Sequence, residues 1–123
     1  MGRPVVHFEI VARDARATQR FFSELFDWEI EDQGNHLEYG TIDRERNLSR
    51  AGFGIGGGIG RAPAGYDGHV TFYVEVPDVE EALARAEALG GARMMGPERV
   101  TEQVEIGLFT DPEGHVIGLF RGA

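Results

Sequence analysis

The sequence repeats one pattern of residues in its two halves. Identical residues recur 64 positions apart, among them Phe8 and Phe72, Asp14 and Asp78, and Leu25 and Leu89. A duplicated pattern indicates a duplicated structural unit, so the chain is expected to fold as two similar modules. At 123 residues it is long enough to form one domain with a buried core.

Each half begins with a strand, an aspartate and a helix. Residues 5–10 predict a buried strand, and apolar residues at helical spacing follow Asp14. In the second half, residues 70–76 predict a strand, and a helix capped by Asp78 ends at the glycines 90–91. The phenylalanines of the first helix are expected to lie in the core.

Short predicted strands follow each helix. In the first half they are residues 28–31, 37–42 and 51–59, and in the second half 93–95, 104–110 and 115–121. Each half therefore reads βαβββ, which predicts an α+β fold. We expect a single domain spanning 1–123, with module one at 1–60, a linker containing proline and glycine at 61–67, and module two at 68–123.

Composition limits the classes of partner. The 21 acidic and 12 basic residues give a formal charge of −9, which disfavours nucleic acid and favours cationic or neutral small ligands. The absence of cysteine excludes disulfides, thiolate metal ligands and a cysteine nucleophile. No stretch approaches the roughly 18 consecutive apolar residues of a membrane span, so no membrane partner is predicted and a cytoplasmic location is expected.

Three local motifs and their order along the chain indicate a family. Residues 7–10 (HFEI) precede Asp14, residues 20–28 read RFFSELFDW, and residues 111–114 form a DPEG turn. Together they resemble the vicinal oxygen chelate superfamily, which includes glyoxalase I, bleomycin-resistance proteins and extradiol dioxygenases. The resemblance implies that the strands of both modules form a cup-shaped mixed sheet with the helices outside. It also implies a ligand on the concave side and a homodimer.

Strand alternation assigns residues to the two faces of the sheet. Phe8 and Ile10 are apolar and should face the helix side, which turns His7 and Glu9 to the concave side. The same argument for the second module and the last strand predicts a polar concave face. The candidate ligand-binding residues are His7, Glu9, His69, Thr71, Tyr73, Gly118 and Phe120.

The resemblance implies four metal-ligand positions, of which one is retained. His7 stands seven residues before its capping aspartate, but the matching residue of the second module is Thr71. Gly118 replaces the usual glutamate of the last strand, and residues 54–59 contain no His, Asp or Glu. The family's metal site is thus predicted to be degenerate, with no cofactor. The alternative is a divalent metal at a displaced site around His7, Glu9 and His69.

Other chemistry-bearing residues leave alternatives open. Glu9 and Glu75 either form a carboxylate pair for acid–base work or lie solvated at the rim. The Tyr73 hydroxyl either donates to a ligand or only packs in the wall. His36 and His115 are expected on the surface.

Residues 52–57 satisfy the GxGxxG pattern, but no helix follows, so a nucleotide site is not predicted. These glycines are expected to widen the pocket, by letting a ligand or a neighbouring backbone approach.

The sequence therefore predicts a small-molecule-binding glyoxalase/bleomycin-resistance-like protein with a degenerate metal site. The alternative is a metal-dependent lyase, isomerase or dioxygenase of the same superfamily, using the displaced site around His7 or metal-free acid–base chemistry. A third alternative is an accessory module that kept the fold without either activity. Whether the chain is an enzyme is left open at this stage.

Overall fold

The computed structural model of the chain describes residues 2–122. These residues form two compact units. The first unit is His7–Val70, and the second combines the N-terminal residues through Val6 with the chain from Thr71 onward. Among the described residues, no helix has the length and apolar character needed to cross a membrane.

The first unit holds four strands and one α-helix. Its elements are β1 (Val5–Ala12, which starts in the second unit), α1 (Ala15–Phe26), β2 (Ile30–Asp32), β3 (Gly40–Ile42), a 3-10 turn at Arg44–Arg46, and β4 (Gly56–Arg61). Their order in the sheet is β2-β3-β4-β1. β1 runs parallel to β4, and β3 is antiparallel to both of its neighbours.

The second unit repeats this arrangement. Its elements are β5 (His69–Glu75, which starts in the first unit), α2 (Val79–Ala88), β6 (Ala92–Arg99), β7 (Glu105–Thr110) and β8 (Val116–Arg121). Their order is β5-β8-β7-β6, with β5 parallel to β8 and the other pairs antiparallel. The predicted α+β class with two βαβββ modules and mixed strand pairing is confirmed. The limits of module one, linker and module two remain a prediction.

Both helices begin at the aspartates that the repeat singled out. The Asp14 carboxylate accepts a hydrogen bond from the Ala17 amide at 3.0 Å, and Asp78 accepts one from the Glu81 amide at 2.9 Å. Each bond satisfies an amide that the first helical turn leaves unpaired. Gly90 follows α2 with φ +103°, as expected for a left-handed helix end.

Three predicted strands of the first unit start later than expected, and β6, predicted at residues 93–95, is longer, at Ala92–Arg99. β2 is only Ile30–Asp32, because the Trp28 carbonyl accepts a hydrogen bond from the Ser23 hydroxyl at 2.8 Å and stays bound to the helix. β4 starts at Gly56 rather than at residue 51, because residues 49–53 form a turn in which the Ser49 and Phe53 backbones bond to each other. β3 is only Gly40–Ile42, since the preceding residues 33–39 form a turn.

The core of the first unit is not built from the helix phenylalanines as expected. α1 turns Ala15 and Gln19 toward the sheet, where Ile59 is fully buried. Phe21 and Phe26 remain 59% and 51% exposed, so their placement in the core was wrong. Phe21 lies on a different side of the helix from Ala15 and Gln19, which are one turn apart. Phe26 is the last residue of the helix, where its ring packs on the Trp28 ring at 5.1 Å. In the second unit, Val79, Leu83 and Leu119 form a buried cluster.

Candidate functional site

The two faces of β1 carry different side chains. The Phe8 ring lies 5.3 Å from the Trp28 ring, which in turn stacks at 5.7 Å on Phe22 of α1. Phe8 therefore faces the helix. Because side chains alternate along a strand, His7 and Glu9 project from the sheet face opposite α1.

Tyr39 joins His7 and Glu9 on that face. Its hydroxyl donates to Glu9 Oε1 at 3.1 Å and lies 3.1 Å from His7 Nε2. The phenol has a single proton, which the carboxylate accepts, so the bond to His7 requires an N–H on Nε2. The contact thus fixes the tautomer of the His7 ring.

His69 approaches Glu9 from the start of β5. Its Nε2 lies 3.7 Å from Glu9 Oε2, and the two side chains are only 10% and 14% exposed. Its Nδ1 lies 2.5 Å from the Tyr66 hydroxyl. Within residues 2–122, the buried Nε2 has no hydrogen-bond partner. When Nδ1 accepts the Tyr66 proton, the ring carries its N–H on Nε2, which faces the Glu9 carboxylate.

Burial keeps the phenol and imidazole next to Glu9 in their neutral forms. Burial lowers the pKa of His7, and the Glu9 charge offsets only part of that effect. Burial, the Glu9 charge and the hydrogen bond to Glu9 together raise the pKa of Tyr39 far above its ordinary value. At neutral pH the cluster therefore presents a carboxylate, a neutral phenol and a neutral imidazole.

The glycines of β4 make room for neighbouring rings. His7 pairs with Gly56 and Glu9 with Gly58 in the β1–β4 register. A Cβ at Gly58 or Gly60 would collide with the Tyr39 ring, and one at Gly57 would collide with Phe8. The expected approach of a neighbouring backbone is confirmed at Gly54 and Gly56, where a Cβ would meet the Asn47 and Ile42 carbonyls. At Gly57, Gly58 and Gly60 the space is filled by rings of the same unit.

The candidate residues of the second unit lie on the face opposite α2. Leu119 packs against α2, and the parallel register places Tyr73 beside Gly118 and Glu75 beside Phe120. Tyr73 is 4% exposed, and a Cβ at Gly118 would collide with its ring. The buried Thr71 donates its hydroxyl proton to the Val116 carbonyl at 2.5 Å.

This face of the second unit is less polar than expected. Ile106 pairs with Phe120 and Leu108 with Gly118, which places two further apolar side chains on the same face as Tyr73. The alternation argument predicted polarity from β5 but did not include β7. The structure thus brings His7, Glu9 and His69 together in the first unit. It places Thr71, Tyr73, Gly118 and Phe120 in the second.

The residues at the family's metal positions do not suit a divalent ion. His7 Nε2 donates to Tyr39, the Thr71 hydroxyl is bound to a carbonyl, and Gly118 has no donor atom. Among residues 2–122, no group of three His, Asp or Glu side chains is arranged to hold a metal. The donor set therefore does not fit the superfamily's metal.

Sequence reasoning missed Tyr39 and Tyr66. Both lie in irregular segments, where the period of a strand or helix cannot assign a direction to a side chain. The available signal was the row of alternate glycines in β4. Opposite two polar residues, such a row leaves a space that a large side chain from a neighbouring element can fill.

Comparison with known proteins identifies the family. The model of the glyoxalase-like domain family matches residues 6–120, so the chain belongs to that family. The resemblance to the vicinal oxygen chelate superfamily is thereby confirmed. No curated protein sequence matches the chain.

Solved structures with the same fold are distant in sequence. A variant of Streptomyces coelicolor methylmalonyl-CoA epimerase, in complex with 2-nitronate-propionyl-CoA, is 16% identical with a TM-score of 0.65, over 100% of this chain and 99% of that one. A glyoxalase/bleomycin resistance protein/dioxygenase superfamily member from Vibrio splendidus 12B01 is 18% identical with a TM-score of 0.62, and the match covers 97% of this chain and 98% of that one. A hypothetical protein from Bacillus halodurans C-125 is 8% identical with a TM-score of 0.68, and the match covers 100% of this chain and 96% of that one. At these identities the likeness shows the fold alone.

Proposed function

We propose that this chain is a metal-independent small-molecule-binding protein of the glyoxalase-like family, comparable to bleomycin-resistance proteins, with a degenerate metal site and no cofactor. One observation carries the proposal. The Tyr39 hydroxyl bonds both His7 Nε2 and Glu9 Oε1, which are the imidazole and carboxylate that a displaced metal site would need. A hydrogen-bonded cluster that carries one carboxylate suits recognition of an uncharged or cationic group.

The charge of the chain narrows the class of ligand. The epimerase neighbours hold CoA thioesters, whose phosphates carry negative charge. A chain with a net charge of −9 repels such polyanions and attracts cations at long range. We therefore assign neutral or cationic small molecules as ligands, with neither a nucleic acid nor a membrane as partner. The proposed contact residues in the first unit are Tyr39 and the predicted His7, Glu9 and His69, and those in the second unit are the predicted Thr71, Tyr73, Gly118 and Phe120.

Calorimetric titration of the full chain with a panel of cationic and aromatic compounds tests this function. We expect one saturable site, with affinity lowered about tenfold or more by His7→Ala. The control is His36→Ala, because His36 is exposed. Silence across the panel, combined with turnover of a substrate, would contradict the proposal.

The alternative is a metal-dependent lyase, isomerase or dioxygenase using a displaced site. The observation in its favour is the buried His69 Nε2, which lies 3.7 Å from Glu9 Oε2 with no hydrogen-bond partner among the described residues. Loading with zinc, iron or manganese, followed by gel filtration and elemental analysis, separates the two functions. Stoichiometric metal that is lost in His7→Ala would favour the enzyme.

The proposal includes a homodimer that works in the cytoplasm. The exposed fractions of Phe21, Leu25 and Phe26 on α1 are 59%, 57% and 51%, and association of two chains would remove this apolar surface from water. Sedimentation should show a dimer that Leu25→Glu dissociates. A compact wild-type monomer at all concentrations would contradict it. Cell fractionation tests the location.

A further inference from the structure

We propose that the glycine surface of β4, with His7 and Glu9 at its end, is a binding site for a phenolic ring, which the chain's own Tyr39 occupies when no ligand is bound. This assignment rests on the proposed function, because it names the class of small molecule that the site takes. We call the surface formed by Gly58 and Gly60 the glycine cradle.

The cradle matches the shape of an aromatic ring. The Tyr39 ring lies where Cβ atoms of Gly58 and Gly60 would otherwise project. Any side chain at either position would exclude the ring, so the two glycines define a flat slot. Ring-shaped ligands can replace a deleted ring in such a slot when the walls hold their positions.

The end of the cradle selects a hydroxyl group. The Tyr39 hydroxyl gives its proton to Glu9 Oε1 and receives one from His7 Nε2, each at 3.1 Å. A phenol offers one donor and one acceptor on the same atom and reproduces both bonds. A plain arene makes neither of these two hydrogen bonds, a carboxylate is repelled by Glu9, and an ammonium ion has no acceptor for the His7 N–H.

The Tyr39 ring can leave the cradle by rotation of its own side chain, while the backbone that carries it stays in place. Residues 33–37, which precede it, are exposed. Glu38 adopts φ +52°, a left-handed conformation that a residue with a side chain seldom takes. A hydrogen bond from the Gln19 side chain to the Glu38 carbonyl, 2.8 Å long, anchors this segment to α1. The ring itself is half-buried, so one side of the cradle is reachable from solvent.

Tyr39→Ala in the full chain, titrated with phenol and with benzene by calorimetry, tests the assignment. We expect one phenol per chain, bound about tenfold or more tightly than benzene, because only phenol satisfies His7 and Glu9. Tyr39→Phe is the matched control, since it keeps the cradle filled and should bind neither compound at the same concentrations. Adding His7→Ala to Tyr39→Ala should reduce the preference for phenol. Equal binding of the two compounds, or no binding by a folded variant, would overturn the assignment.

A second measurement uses the wild-type chain and does not depend on the folding of Tyr39→Ala. With ¹³C-labelled tyrosine, phenol should cause a saturable NMR shift of the Tyr39 ring toward its solvent-exposed position, with Tyr73 unchanged. A Tyr39 signal that does not respond overturns the assignment.

The outcomes also separate the two proposals. If phenol does not bind but other compounds of the panel do, the proposed function is supported and the phenol assignment is overturned. If no compound of the panel binds the wild-type chain but phenol binds Tyr39→Ala, only the proposed function is contradicted.

Discussion

The Gln19 side chain on α1 donates hydrogen bonds from one amide nitrogen to the Ile59 carbonyl at 2.9 Å and to the Glu38 carbonyl at 2.8 Å. The residue is 7% exposed, which makes it a buried polar group on the side of the helix that meets the sheet. Its amide connects α1 to β4 and to the residue before Tyr39. The helix therefore helps to set the position of the ring that fills the glycine cradle.

Replacing Gln19 by methionine should destabilise the chain. Methionine has a similar volume but no donor, so the Ile59 and Glu38 carbonyls each lose the hydrogen bond from this side chain. We expect a loss of about 1–3 kcal/mol in the free energy of unfolding, measured by urea denaturation. Gln33→Met is the control, because Gln33 also donates two hydrogen bonds but lies exposed. If both substitutions lower the free energy of unfolding equally, the burial of the Gln19 amide makes no additional contribution to stability.

Gly58→Ala should destabilise the chain through Tyr39. The new Cβ would collide with the hydroxyl end of the ring, which has either to shift or to leave its bonds to His7 and Glu9. We expect a loss of about 1–3 kcal/mol in the free energy of unfolding. Gly2→Ala is the control, since nothing lies within 4 Å of a Cβ at that position.

A double-mutant cycle identifies Tyr39 as the cause. In the Tyr39→Ala background the obstructing ring is gone, so Gly58→Ala should have little effect there. A loss that is unchanged in that background would mean that the glycine is required for its backbone alone. The measurement is again urea denaturation, with the two single variants and the double variant in parallel.

The sequence correctly predicted the features that depend on residues close together in the chain. Asp14 and Asp78 cap their helices as expected, because a capping bond joins residues only three apart. The mixed βαβββ pairing of each module followed from the order of the elements and the family resemblance. Alternation placed Phe8 on the helix side correctly, since the direction of a side chain in a regular strand depends only on its neighbours.

The unpredicted parts depend on contacts between distant segments. Tyr39 reaches His7 across 32 residues, and Gln19 reaches Ile59 across 40. No periodicity encodes such pairs. The amphipathic pattern of α1 favoured Phe21 over Gln19 as a core residue. A buried glutamine is explained only by the carbonyls it meets, and these become known only with the structure.

Alkaline pH should unfold the chain partly through Tyr39. Its ordinary pKa is 10.0, and burial with the nearby Glu9 charge raises the pKa in the folded chain. Above pH 10 the unfolded chain releases this proton and the folded chain retains it, so stability is full below pH 10 and falls as the pH rises further. Thermal unfolding from pH 8 to 11 should therefore show a shallower decline for Tyr39→Phe than for the wild type. Tyr66→Phe is the comparison, because burial alone raises the pKa of Tyr66. If the Tyr39→Phe and wild-type curves run parallel, the raised pKa of Tyr39 has no bearing on stability.

Acid should act through His7 in the opposite direction. Burial lowers the pKa of His7 below its ordinary 6.5, so below pH 6.5 the unfolded chain takes up a proton that the folded chain refuses. Stability from this residue is present above pH 6.5 and is lost as the pH falls toward the lowered pKa. His7→Gln removes the titration and keeps an N–H that can donate to Tyr39, so its unfolding free energy should depend less on pH between 7 and 5 than that of the wild type. His36→Gln, at an exposed position, should follow the wild-type curve. Steeper acid loss in His7→Gln would mean that the imidazolium form stabilises the fold, and that the neutral His7–Tyr39 contact is assigned wrongly.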